Sequence, residues 1–157
     1  MQTKFTLLEH ARKTWMYSHV EEAEFPTPES IAGLSLYKAY NAPSGVKGDL
    51  NKALSLYEVD CHPLTIRYAR LFSEQWDTDD QALLIEYLTQ IDKDNSGKAK
   101  LYLGYKDGAP SACGMIYGDD SDYIIADVYG RSDADANSLI KQLTEQESRR
   151  RVFAEDD

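Results

Sequence analysis

The chain has 157 residues, the size of one domain, and its 42% hydrophobic content with 11% aromatics is enough for one sizeable core, which excludes a disordered or fibrous chain. Lys and Arg number 17 against 27 for Asp and Glu, a formal charge of −10 that repels nucleic acid and anionic membrane surfaces, so neither is an expected partner. No apolar run approaches the ~20 residues of a membrane span, and the start MQTKFTLLEHARK lacks the apolar stretch of a signal peptide. The expectation is one cytoplasmic domain over residues 1–157.

Phe5, Leu8, Ala11, Arg12, Trp15, Met16 and His19 fall at helical spacing and predict an amphipathic helix over residues 5–19, with Thr6 and Glu9 as a capping box. The stretch EEAEFPTPES (21–30), with two prolines and four acids, reads as a surface loop and the boundary within an N-terminal extension. GLSLYKAY (33–40) and ALSLYEVD (53–60) fit either a strand pair around a long loop or a second segment opening on a helix capped by Asp49. His62-Pro63 reads as a break, after which LTIRYARLFSEQW (64–76) begins with alternating Leu64, Ile66 and Tyr68 and predicts a short strand running into a helix.

Leu84, Tyr87, Leu88 and Ile91 predict a helix over Thr78–Ile91, capped by Thr78 or Asp79, with the polar run DKDNSGKAK closing it at Gly97. Lys100–Tyr105 and Ser111–Tyr117 alternate on either side of KDGA, and Asp-Gly suits the positive φ of a hairpin turn. A third strand, DYIIADVYG (122–130), follows the acidic turn GDDSD. Ala136, Leu139, Ile140 and Leu143 then predict a helix whose last turn carries Arg149, Arg150 and Arg151. Residues 1–60 thus form a helix with an irregular extension, and residues 61–150 form the core.

The charge is uneven. Between Asp107 and Asp135 stand seven acids and one base, Arg131, a local charge of −6. Solvated turns explain it, as does a surface for a cationic ligand. Asp92, Asp94, Ser96 and Gly97 occupy the first, third, fifth and sixth positions of a calcium loop, but Leu103 stands where a bidentate Glu is needed. A helix-to-strand connection is the better reading there. GDDSD lacks a ligand frame, and no Cys/His spacing fits zinc, so no metal site is expected. Cys61 and Cys113 make no disulfide framework, and Cys113, alternating with Met115 and Tyr117, reads as core rather than as a nucleophile for His62. Tyr102, Tyr105, Tyr117, Tyr123 and Tyr129 read as the edge of the core or as a ligand groove.

The order strand, helix, helix, strand, Asp-Gly turn, strand, strand, helix, with LYLGYKDG, APSACGMIY and YIIADVYG followed by RSDADANSLIKQL, resembles the first part of the GNAT superfamily of acyl-CoA-dependent N-acyltransferases. LEHARKTW also looks, more weakly, like the leading helix of extended members. The resemblance implies a mixed α/β fold with a mainly antiparallel sheet flanked by helices and an N-terminal helical extension. It further implies acetyl-CoA as cofactor, held along Cys113, Met115 and Val128 on the strands and at Arg131, Ala134, Ala136, Asn137 and Ser138 in the loop and helix start. The acceptor would be a cationic amine.

In that family the loop is glycine-rich, so that backbone N–H groups at a helix N-terminus surround the pyrophosphate. Here Asp133 and Asp135 stand in the loop, and each carboxylate beside a pyrophosphate costs about 1–4 kcal/mol, against roughly 0.3–2 kcal/mol from the helix dipole. The family's later strands, helix and leaving-group tyrosine have no counterpart after Glu147, so no general acid carries over to a numbered tyrosine. Two functions are therefore expected: an N-acyltransferase, or a non-catalytic binding or regulatory module of the same fold acting as a homodimer that completes the sheet.

Overall fold

The structure, a computed structural model, describes residues 3–42 and 53–155. Helix α1 (Lys4–Glu21) begins one turn before the expected capping box. Its cap is Thr3, whose hydroxyl accepts the Thr6 N–H at 3.1 Å. The surface loop spans only residues 22–27, because Pro28 opens a second helix, α2 (Pro28–Lys38), capped by Thr27. A proline in the first turn gives up an N–H that has no helical partner there, so Pro28 starts a helix instead of breaking one. The strand reading of residues 33–40 is thereby overturned, while residues 55–58 of the second apolar segment form strand β1 (Ser55–Glu58). The alternative cap Asp49 lies outside the described residues.

The same physics corrects the next expectation. His62-Pro63 begins helix α3 (His62–Phe72), which absorbs the predicted strand and buries Thr65, Tyr68, Ala69, Leu71 and Phe72. After one 3-10 turn, Ser73–Gln75, comes helix α4 (Thr78–Leu88), capped by Asp77, which accepts the Asp80 N–H at 3.0 Å. The helix stops well short of Gly97. Asp94 accepts N–H groups from Ser96 and Ala99, folding the former calcium-loop candidate into a turn.

Strands β2 (Ala99–Lys106), β3 (Ala109–Gly118) and β4 (Asp122–Gly130) follow as expected, with Asp107 (φ 53) and Gly108 (φ 81) making the left-handed hairpin turn. Helix α5 (Asp133–Gln146) ends before the arginines, and Arg151–Val152 form β5. Arg150 ties the helix end, through Glu147, to the sheet. It donates to Asp119 O at 2.9 Å and lies 4.8 Å above the Tyr123 ring.

The sheet runs β1-β2-β3-β4-β5, antiparallel except for the parallel pair β4-β5. It is a mixed α/β fold of a mainly antiparallel sheet flanked by helices, the class expected from the sequence. Leu101, Leu103, Cys113, Met115, Tyr117 and Ile124 face α1 to α4 in one core. Tyr102, Ala112, Ile116 and Tyr123 face α5 in a second, against Leu139 and Leu143. The tyrosines of the strands divide between these two cores. No helix among the described residues is long and apolar enough to cross a membrane.

The ladder between β3 and β4 is interrupted part-way along. Its register passes from Cys113↔Tyr129 to Met115↔Ala126, so Asp127 and Val128 together oppose Gly114. This is a β-bulge, and Asp127 takes the left-handed conformation (φ 56) that a glycine commonly supplies in such bulges.

Candidate functional site

Two places carry polar chemistry, one at each edge of the bulge. The first is the loop from Gly130 into α5. An added Cβ on Gly130 would stand 2.5 Å from the Ala136 nitrogen and 2.7 Å from the Ser132 oxygen, so the turn accepts only glycine. Ser132 caps α5 through its hydroxyl, which accepts the Asp135 N–H at 3.1 Å. The Arg131 N–H goes to Ser111 O at 2.9 Å, and its guanidinium grips Glu74 through Nη2 at 2.7 Å and Nε at 3.2 Å. The hydrogen bond and charge of Glu74 push the Arg131 pKa up.

Asp135 is 1% exposed and accepts bonds at both carboxylate oxygens from Lys106 Nζ, at 3.1 and 3.2 Å. Only Asp133 of the two loop aspartates therefore presents its charge outward. The repulsion expected from Asp135 is largely cancelled by Lys106, which sequence spacing does not reveal because it comes from the far end of β2.

A pyrophosphate is held at such a turn by free N–H groups and strengthened by a nearby free cation. Arg131 is engaged by Glu74, the Asp135 N–H by Ser132, and the Ala136 N–H by Ser132 O. The N–H groups of Asp133 and Ala134 remain, in the same turn as the Asp133 carboxylate. These residues do not fit the group.

The structure separates the residues expected to hold a cofactor into two sets. Arg131, Ala134, Ala136, Asn137 and Ser138 gather at the start of α5, the last three buried. Cys113 and Met115 are fully buried on the opposite face of the sheet, among α1 to α4. Val128 packs with the α5 side. Burial, with a further push from Asp127, raises the Cys113 thiol well above its ordinary pKa, which suits core packing and not nucleophilic attack.

The second place is one that sequence spacing does not point to. Arg12 lies on the buried stripe of α1 with Leu8, Met16 and Val20, and reaches the β4 bulge. Its Nη1 donates to Asp127 Oδ2 at 3.0 Å and to the Tyr37 hydroxyl at 2.6 Å, and Tyr37 donates in turn to Asp127 Oδ2 at 2.5 Å. Its Nε donates to Glu9. Arg12, Tyr37 and Asp127 are each 4% exposed. Burial alone would disfavour the charged guanidinium, but Asp127 and the other neighbouring anionic groups outweigh it and the pKa rises. Burial, reinforced by Asp127, likewise pushes the Tyr37 phenol well up, so it remains a donor. A weak signal does exist in the sequence: a charge inside the apolar stripe of α1, and an opposite charge inside the apolar run YIIADVYG.

Turn GDDSD is also internally satisfied. Asp119 accepts N–H groups from Ser121 and Asp122 and pairs with Lys4 at 3.1 Å, which holds its carboxyl at about 2. Among the described residues no cluster of side chains could hold a metal ion.

No family model matches this chain, and no curated protein matches it. Among solved structures, a chain described as a possible acetyltransferase from Clostridium difficile 630 aligns with 16% identity and a TM-score of 0.38, covering 68% of this chain and 82% of that one.

Proposed function

We infer that this protein is a GNAT-like fold working as a non-catalytic binding module and not as an acyl-CoA-dependent N-acyltransferase. One observation carries the reading: the cation and the capped N–H groups that would receive a pyrophosphate at residues 130–136 are engaged by Glu74 and Ser132, while Asp133 adds a negative charge to the same turn.

The second reading, transfer of an acyl group from acetyl-CoA to a cationic amine, is favoured by a different observation. The bulge at Asp127 interrupts the β3/β4 pairing beside a cavity lined by Arg12, Tyr37 and Asp127, and an interrupted strand pair is a place where a ligand can meet backbone.

Calorimetric titration of the whole chain with acetyl-CoA and with CoA separates the two. No saturable binding is expected at millimolar cofactor. A micromolar Kd that weakens in Arg131→Glu and tightens in Asp133→Gly would overturn the first reading in favour of the second.

A further inference from the structure

A cavity of about 240 Å³ lies between α1, α2 and the β4 bulge, and the buried trio Arg12, Tyr37 and Asp127 lines it. Its charged lining residues are Arg12, Lys13 and Lys38 against Glu9, Asp127 and Glu155, three of each sign, so it selects neither an anion nor a cation. Aromatic rings of Phe5, Tyr17 and Tyr40 complete the walls. An apolar cavity of about 150 Å³ holds a benzene ring, so this one has room for a ring with a polar substituent.

The hydrogen bonds of the trio leave a specific remainder. The Tyr37 hydroxyl both accepts and donates and is spent. Arg12 uses Nη1 and Nε, and Asp127 uses Oδ2. Among the described residues Arg12 Nη2 and Asp127 Oδ1 have no partner, yet neither is among the polar atoms sealed from solvent. The Nη1–Oδ2 contact at 3.0 Å holds the guanidinium and the carboxylate side by side in the cavity wall. Facing the cavity, this donor and this acceptor are open to a partner that the chain does not supply.

A donor next to an acceptor, walled by rings and neutral in sum, is the complement of an uncharged group carrying a carbonyl and an N–H on one edge. Primary carboxamides and ring lactams have that edge. A trans secondary amide turns its C=O and N–H to opposite sides and does not fit.

We propose that this cavity binds a planar, uncharged molecule through a carboxamide or lactam edge, its carbonyl accepting from Arg12 Nη2 and its N–H donating to Asp127 Oδ1. The proposal rests on the reading of the protein as a binding module and names the ligand class.

The whole chain is titrated, by calorimetry and by chemical-shift change, with benzamide and uracil as the two sources of that edge. Benzoate, which has acceptors only, and benzamidine, which has donors only, are the controls. Benzamide or uracil should bind about tenfold or more tightly than both controls, the discrimination expected when one hydrogen bond to a charged group is replaced by a mismatch. Binding of one and not the other identifies the source. Ala42→Trp, which adds bulk to the cavity lining outside the trio, should abolish binding with an unchanged circular dichroism spectrum. Equal affinity for all four probes, tighter binding of a control, no saturation at millimolar ligand, or binding that survives in Ala42→Trp overturns the proposal. CoA binding would instead overturn the underlying reading, whatever the amides do.

Discussion

Arg12 shows how a single residue can commit a helix to a strand far away in the chain. A guanidinium on the buried side of α1 is stable only because Asp127, Tyr37 and Glu9 meet it, and Asp127 accepts an unfavourable left-handed backbone to do so. Replacing one partner of a buried pair strands the other, at a cost of about 3–5 kcal/mol, a large share of the ~5–15 kcal/mol of a typical domain. Arg12→Met should lose stability of that order in urea unfolding. Adding Asp127→Gly removes the stranded carboxylate and suits φ 56, so the double variant should be more stable than Arg12→Met alone. At this scale the sequence is half legible. Arg12 and Asp127 each stand out against apolar neighbours, but nothing in a linear string joins residues 12, 37 and 127. The pairing of Asp135 with Lys106, and of Arg131 with Glu74, is hidden for the same reason.

Elements are legible where their signals are local. The Asp107-Gly108 turn and the three strands around it follow from alternation and turn chemistry, because a hairpin is specified by contiguous residues. The two proline segments mislead, since proline stops a helix in its interior and starts one in its first turn, and only the following apolar face decides which. Helix α2 adds a constraint that its sequence conceals. A Cβ on Gly33 would stand 2.0 Å from Leu83 O and 2.8 Å from Tyr87 Cβ of α4. In an exposed helix Gly→Ala stabilises by roughly 0.5–1 kcal/mol. Here Gly33→Ala should destabilise by about 1–3 kcal/mol through overpacking, read as a fall in Tm, and a rise in Tm would contradict the α2–α4 approach.

For the whole molecule, the net charge of −10 says less than its pairing. Of the seven acids between Asp107 and Asp135, Asp119 and Asp122 face Lys4, Asp127 faces Arg12, and Asp135 faces Lys106. The acidic block is largely compensated by bases from elsewhere in the chain. Stability should depend on pH in two steps. His19, its Nε2 buried without a hydrogen bond and its ring edge-on to Trp15, has its pKa lowered by burial, against the opposing charges of Asp92, Asp94 and Glu22. The unfolded chain then binds a proton that the folded one resists, so stability falls as pH drops below the ordinary histidine value of about 6.5. Asp119, held at about 2, contributes stability above the ordinary carboxyl value of about 4, and that contribution is lost as pH falls from there towards 2. Thermal melts across this range should show both declines, and His19→Gln should flatten the first without altering the second.

The trio at the bulge also bears on how such a chain can change over generations. Residues 12, 37 and 127 sit in three separate elements, and loss of either charge leaves the other stranded in the core. Descendants would have to replace the charged pair together. The N-terminal helices and the sheet are thus inherited as one unit, and neither could be exchanged for a foreign copy without importing its counterpart.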